Sequence, residues 1–419
     1  MKKIFSCADI LLPKAQNMEL WSVVACDQFS SQPEYWDALD ALVGEAPSTL
    51  RLMLPEAYLE SRDQFVEAEI INALMEKYLS EDVFEVLPQS YIYVERTLSD
   101  GKVRRGLMGV LDLEEYDYSA DSTSPVRATE GTVVDRLPPR VQVRRGAALE
   151  MPHIMVFIDD EADSVLGMLR EKRESLERLY DFSLNAGGGH IRGYAVNGEN
   201  AEALEKAIEA LGDEADLCAR YGEAAPAIFA MGDGNHSLAT AKKCWEEIKS
   251  TLSEEEMEKH PARFSLVELV NIHDEAISFE PIHKVVFETE PSEFIDSCEK
   301  WWAEHGGQGQ NCHRIRLVVG DREKELSVRG LTIGRLIGCA EEFCQSYMAS
   351  NGGKIDYIHN DATAIDMGRR AGCAALLLPP MEKSELFPSI IQSGPFPKKS
   401  FSIGHAEDKR YYLECRRIK

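Results

Sequence analysis

The stretch from Ala227 to Ala241 constrains this chain most. An apolar run, Ala227-Ile228-Phe229-Ala230-Met231, ends in Gly232-Asp233-Gly234-Asn235-His236-Ser237, and a helical pattern follows through Ala241. The change of hydrophobic period predicts a strand, a tight turn and a helix in immediate succession. Glycine permits a positive φ and close backbone approach at such a turn. Asn235 or Ser237 is then expected to cap the helix, leaving further N–H groups pointing outward. That arrangement suits an anion or a nucleotide phosphate, with Gly232, Gly234, Asn235 and Ser237 as the candidate ligands. An ordinary capped strand-to-helix turn carries the same pattern, and the run matches neither the Walker loop nor the dinucleotide fingerprint.

At 419 residues and 44% hydrophobic content the chain exceeds a single core, so two or three domains are expected. We read an N-terminal α+β region over 1–150, a central α/β region over 151–290 and a C-terminal α+β region over 291–419. Strands alternating with helices favour a mixed-sheet α/β or α+β fold. The formal net charge of −26 opposes docking on nucleic acid or an anionic membrane. No apolar run approaches the roughly 20 residues that span a bilayer, so a soluble, cytoplasmic protein is expected. Ten cysteines without a Cys-x-x-Cys pair or zinc spacing read as reduced packing residues. Cys26 lies in a polar segment, but the adjacent Asp27 disfavours the thiolate that a nucleophile needs.

Along the chain, Tyr91–Thr97 and Arg105–Val110 flank Asp100-Gly101 and predict a β-hairpin. Arg127, Arg136, Arg140, Arg144 and Arg145 crowd one proline-interrupted segment, read as a loop. Their guanidinium groups suit phosphate in bidentate geometry and equally suit salt bridges to the surplus acids. Met155–Ile158 reads as a buried strand, followed by a charged helix to about Tyr180. Gly187-Gly188-Gly189 makes a flexible loop at whose edge His190 either reaches a ligand or satisfies backbone carbonyls. A helix over Asn200–Leu211 and a strand through Ile272 follow. His273 and His283, with Asp233 and His236, are candidate metal ligands lacking any tight ligand spacing. Beyond Pro291 the order is helix, strand, hairpin partner and helix, then a buried strand at Ala374–Leu378 and a final strand at Tyr411–Leu413.

Several of these residues recur together in one family. Ala25-Cys26-Asp27, Leu50 to Glu56, the Asp100-Gly101 hairpin, Asp233-Gly234-Asn235-His236, Glu280 to Val285 and Lys398-Lys399-Ser400-Phe401 make the chain resemble, nearly end to end, the domain-of-unknown-function 1015 family of bacterial and archaeal proteins. The resemblance implies a place within the wider ParB/sulfiredoxin-like group, where a loop resembling Asp-Gly-His-His-Arg or Cys-His-Arg opens a helix and handles nucleotide phosphates. Free-serine kinases of the group use the loop in phosphoryl transfer. Asp233, Gly234 and His236 fit the loop pattern; Asn235 stands for its first histidine and Ser237 for its arginine, so the arginine contact to phosphate is absent there. Arg127 is the candidate replacement. Glu130 falls in a segment resembling the family's His-Glu-Lys-Thr stretch.

The resemblance implies a nucleotide-binding protein that transfers a phosphoryl group from ATP or ADP, with Mg²⁺, to a small hydroxylated metabolite such as serine. In that reading Asp233 is a base or Mg²⁺ ligand, His236 and the Gly234 backbone contact phosphate, Glu130 is a base or metal-binding group, and Glu130 or Asp27 orients the acceptor; Asp27 and, from its loop position, His190 are the candidate substrate contacts. The alternative is a regulatory protein that binds a nucleotide or metabolite without turnover. DNA binding is opposed by the net charge, and a sulfiredoxin-type reductase is opposed by Gly234 or Asn235 at the place of its cysteine. The sequence carries no signal of oligomeric state.

Overall fold

Apolar residues alternate through Tyr91–Val94 and Leu107–Leu111, and the Asp100-Gly101 turn joins them with Gly101 at φ +85°. In the computed structural model, which describes residues 3–131, 137–222 and 226–419, the two arms become the Phe84–Thr97 and Val103–Asp112 strands of one hairpin. These strands sit inside an 11-stranded mixed sheet. On one side of the hairpin, Phe264–Asn271 pairs antiparallel with Val103–Asp112, and Met155–Ile158 runs parallel to Phe264–Asn271. Phe229–Asp233 then pairs antiparallel with Met155–Ile158 and parallel with Val126–Arg127. One sheet thus takes strands from both sides of residue 150.

One face of this sheet buries Tyr91, Tyr93, Val156, Ile158, Phe229, Met231, Val267 and Leu269 under the Leu166–Lys172, Gly198–Ala210 and Asn235–Lys249 helices. The opposite face buries Ile92, Val94, Met108, Val110 and Leu266 against the Gln64–Ser80 helix and the C-terminal segment through Ile418. A second, five-stranded sheet is built from His283–Phe287, Cys312–Val319, Arg322–Arg329, Lys354–Ile358 and Cys373–Leu377. Its core joins that of the first sheet through Met155, Phe157, Ala230 and Val270. The chain end then returns to the first sheet, where Cys415 bridges Leu11, Arg410 bridges Val24 and Arg416 pairs with Glu150.

Three expectations are corrected. The helix expected to reach Tyr180 stops by Ser175, and Glu177–Ser183 is a strand paired with His190–Val196 across the glycine loop. Tyr180 is buried and Leu179 and Phe182 are half-buried against the same core, while Glu177, Arg178, Asp181 and Ser183 stay exposed, a pattern that suits the edge of a sheet. The arginine segment is a helix over Leu137–Gly146, not a loop, with Arg136 outside the described residues. Tyr411–Leu413 is not a strand but irregular, with a bend at Leu413; the strand comes later, at Arg416–Arg417.

Candidate active site

Asp233 ends its strand and Gly234 opens the Asn235–Lys249 helix. Gly234 has φ +82°, and a Cβ there would lie 2.3 Å from the His153 carbonyl oxygen, so the turn admits glycine alone. Gly234 is itself the N-cap and supplies no side-chain cap. Asn235 and Ser237 therefore do not cap this helix, contrary to expectation, because both lie one to three residues inside it. No side chain of the N-cap residue covers the first turn, whose backbone opens toward the Asp233 turn.

Around this turn a cavity of about 230 Å³ is lined by Gly232, Asp233, Asn235, Thr129, Glu130, Tyr357, His359, Lys399 and Lys409, among others. It draws on both sheets. Thr129 and Glu130 follow the Val126–Arg127 strand, and Glu130 bridges Phe396 in parallel. Tyr357 and His359 come from the end of the Lys354–Ile358 strand, and Lys399 and Lys409 from the returning C-terminal segment. The Asn235 Oδ1 is buried and has no hydrogen-bond partner among the described residues.

The two carboxyl groups experience opposite fields. Burial opposes the charge of Asp233, but Lys409 Nζ at 3.2 Å, His153 Nε2 at 3.5 Å and the Gly234 N–H at 2.7 Å outweigh it. They hold its carboxyl well below the usual carboxylate range. Burial pushes the Glu130 carboxyl up; the Lys399 N–H it accepts opposes this, and the Asp233 charge adds to the rise. Asp233 is thus held as the anion, while the Glu130 carboxyl has its proton affinity raised.

Lys399 adopts a left-handed φ of +57°, a costly conformation for a residue with a side chain. That bend lets its backbone N–H bond Glu130 while its Nζ sits 4.6 Å over the Tyr357 ring. Behind that ring, the fully buried Lys284 pairs with Glu341 at 2.5 Å, and the Tyr357 hydroxyl donates to Glu341 at 2.9 Å. At the mouth, partial burial and the Lys409 and Lys399 charges lower the pKa of His359, with Glu280 acting the other way.

Several expected ligands lie elsewhere. Arg127 is buried and donates from Nε to the Ser124 carbonyl at 2.9 Å, and it does not line the cavity. Arg140 pairs with Glu56 at 2.8 Å and with Asp27 at 3.6 Å, Arg144 with Glu150 at 2.6 Å, and Arg145 with Glu247 at 2.9 Å. The described helix arginines are spent on acids. His190 pairs with Asp181 at 3.2 Å on the outer hairpin, apart from the cavity lining. His236 accepts the Thr240 hydroxyl at its carbonyl, and Ser237 faces a different cavity. Asp27 is exposed and contributes only at a distance, through its charge on Lys409.

The four-residue metal cluster does not form. His273 is engaged by Asp159 at 2.6 Å and His283 by Asp361 at 2.8 Å, and among the described residues no group of three or more His, Cys, Asp or Glu is placed to hold a metal ion. Cys26 is further disqualified as a nucleophile, since burial and Asp27 push its thiol up to about 11. All ten cysteines are free thiols.

Sequence reasoning missed His153, Tyr357, His359 and Lys409 as site residues. Their neighbours in sequence carry no glycine turn or ligand spacing, so only pairing across the fold brings them to Asp233. Lys399 had a signal, as part of the Lys398-Lys399-Ser400-Phe401 motif.

A family model described as "Protein of unknown function (DUF1015)" matches residues 6–354. No curated protein matches the chain. Among solved structures, a conserved hypothetical protein from Pyrococcus furiosus is similar at 9% identity, over 72% of this chain and 91% of that chain, with a TM-score of 0.33. Free serine kinase in complex with AMP is similar at 9% identity, over 76% of this chain and 92% of that chain, with a TM-score of 0.35.

Proposed function

The chain belongs to the DUF1015 family, and from the chemistry of the Asp233 cavity we propose that it binds nucleotide phosphates there and transfers a phosphoryl group to a small hydroxylated metabolite such as serine. One observation carries this reading: two carboxyl groups, Asp233 held toward its charged form and Glu130 pushed the other way, line the same cavity beside Lys399, Lys409 and a helix N-terminus with no side-chain cap. Phosphoryl transfer asks for charge neutralisation and positioning more than for covalent help from the protein. Lys399, Lys409 and the Asn235 turn neutralise and orient the phosphates. Glu130 takes the proton from the acceptor hydroxyl as its oxygen bonds to phosphorus, while the bond to the leaving phosphate oxygen breaks. Asp233 holds Lys409 and His153 in place; were Mg²⁺ to accompany the nucleotide, Asp233 would be the carboxylate to help hold it, and the ion would neutralise phosphate charge.

This assigns the base to Glu130 rather than Asp233, because a carboxylate so strongly stabilised as an anion is a weak proton acceptor. We place the chain with the ParB/sulfiredoxin-like group on the Asp233-Gly234-Asn235-His236 turn. A second reading, a nucleotide-binding regulator without turnover, is favoured by one fact: among the described residues no arginine lines the cavity.

Phosphorus NMR with Mg²⁺, ATP or ADP in separate samples, and a pool of serine, homoserine and other small alcohols, separates the two. A new phosphomonoester signal that Glu130→Gln loses establishes the kinase. Nucleotide line-broadening that Asp233→Asn alters, without product, establishes the binder. Neither broadening nor product sinks both.

A further inference from the structure

A second cavity, of about 400 Å³, lies on the other side of the same helix turn, reached by Ser237 and Thr240 where the first is reached by Asn235. Its volume falls within the roughly 300–1,000 Å³ typical of ligand pockets. Leu52, Leu54, Leu59, Val143 and Leu149 form much of the wall, with Met53, Met75 and Met151. Three thioethers make an adaptable surface.

The charged groups at its edge cancel in pairs, Arg140 with Glu56 and Arg144 with Glu150, so the space carries no net charge for an ionic ligand to answer. Tyr411 is its single aromatic ring among the described residues, and that ring's hydroxyl meets the Cys26 N–H at 3.4 Å. A nucleobase finds no stacking platform of the usual aromatic kind. Ser237 supplies a hydroxyl that does not cap its helix.

We propose that this cavity is a binding site for a medium-length aliphatic compound with one neutral polar head, the chain lying among Met53, Met75 and Met151 and the head at Ser237. The proposal stands apart from the reading of the phosphate cavity, since it uses none of that cavity's residues.

The test is methyl NMR of the full chain with ¹³C-labelled methionine, titrated with butan-1-ol, hexan-1-ol and octan-1-ol. Three of the 13 methionine resonances, assigned to Met53, Met75 and Met151 by conservative substitution to leucine, are expected to shift and saturate. Affinity should tighten about three- to fourfold per added methylene. Val143→Trp, which fills the space, should abolish the shifts while leaving pyrophosphate binding at the first cavity unchanged. Uniform, non-saturating shifts across all methionines overturn the proposal, as does silence of these three. Shifts that depend on protein concentration without alkanol also overturn it, by making a second copy the occupant. Should Val143→Trp fail to fold, the chain-length series on the unaltered protein decides alone.

Discussion

Asp233 and Glu130 line one cavity, yet their surroundings drive them apart in proton affinity. A carboxyl whose folded pKa is depressed adds stability above its unfolded value of about 4, and that stability is lost as pH falls below it. Asp233→Asn is therefore expected to lower the unfolding free energy by about 1–3 kcal/mol at pH 7, with the difference from the unaltered protein shrinking toward pH 3. Urea titrations across that range check it, and a pH-independent difference would falsify the ion-pair account. His359 gives the opposite sign. In the free protein its pKa is lowered by partial burial, Lys409 and Lys399, against Glu280, with His283 also facing it and adding to the lowering. A bound polyanion offsets the lysine charges and raises that pKa, so binding takes up a proton. Pyrophosphate affinity should then rise as pH falls from about 8 to 6, more steeply than the ligand's own titration accounts for. Calorimetry in buffers of different ionisation enthalpy reads the uptake directly; His359→Gln should remove it.

At the scale of elements, the junction at Gly234 and the tie at Arg416 are where a single change does most. Gly234→Ala places a side chain at φ +82° and against the His153 carbonyl, a strain of about 1–3 kcal/mol before the clash is counted. A loss of nucleotide or pyrophosphate binding in step with that destabilisation is the expected outcome of paired binding and urea measurements. Arg416 donates to the buried Glu150 at 2.7 Å, and Glu150 also accepts the Leu266 N–H at 2.8 Å. Arg416→Met leaves Glu150 with Arg144 and the Leu266 N–H but without its second cation, and should cost about 1.5–3 kcal/mol; a change below about 0.5 kcal/mol by thermal unfolding counts against it. Element by element, legibility followed local determinism. The Asp100-Gly101 hairpin and the 229–249 strand and helix were legible because turn chemistry and apolar period agree within a short window. Glu177–Ser183 was not, since its polar, charged residues are tolerated only by an edge that His190–Val196 provides. The Leu137–Gly146 helix was hidden by its prolines, which a helix accepts in its first turn.

For the whole molecule, the first cavity lies where the two sheets and the returning C-terminal segment meet. Ligand binding should therefore protect elements far apart in sequence. Hydrogen exchange with and without pyrophosphate is expected to slow at the first turn of the Asn235–Lys249 helix, at Lys354–Ile358 and around Lys399 together; protection confined to one of them refutes a shared site. The chain's −26 charge excludes broad attraction for polyanions, yet Lys399 and Lys409 make a local exception. No described helix is long and apolar enough to cross a membrane. By itself the sequence determined the strand-turn-helix at Asp233, because a glycine-only turn and a change of period are local facts. Through motif it also named Glu130 as a candidate and held Lys399 within a family-matching stretch without giving it a role. Which charges meet was decided only by the tertiary structure: Lys409 arrives from 176 positions beyond Asp233, and the arginines expected at the phosphate instead close on Glu56, Glu150 and Glu247. Coulombic pairing acts over a few ångströms of space and is blind to separation along the chain, so composition can state the surplus of acids but not which of them each cation finds.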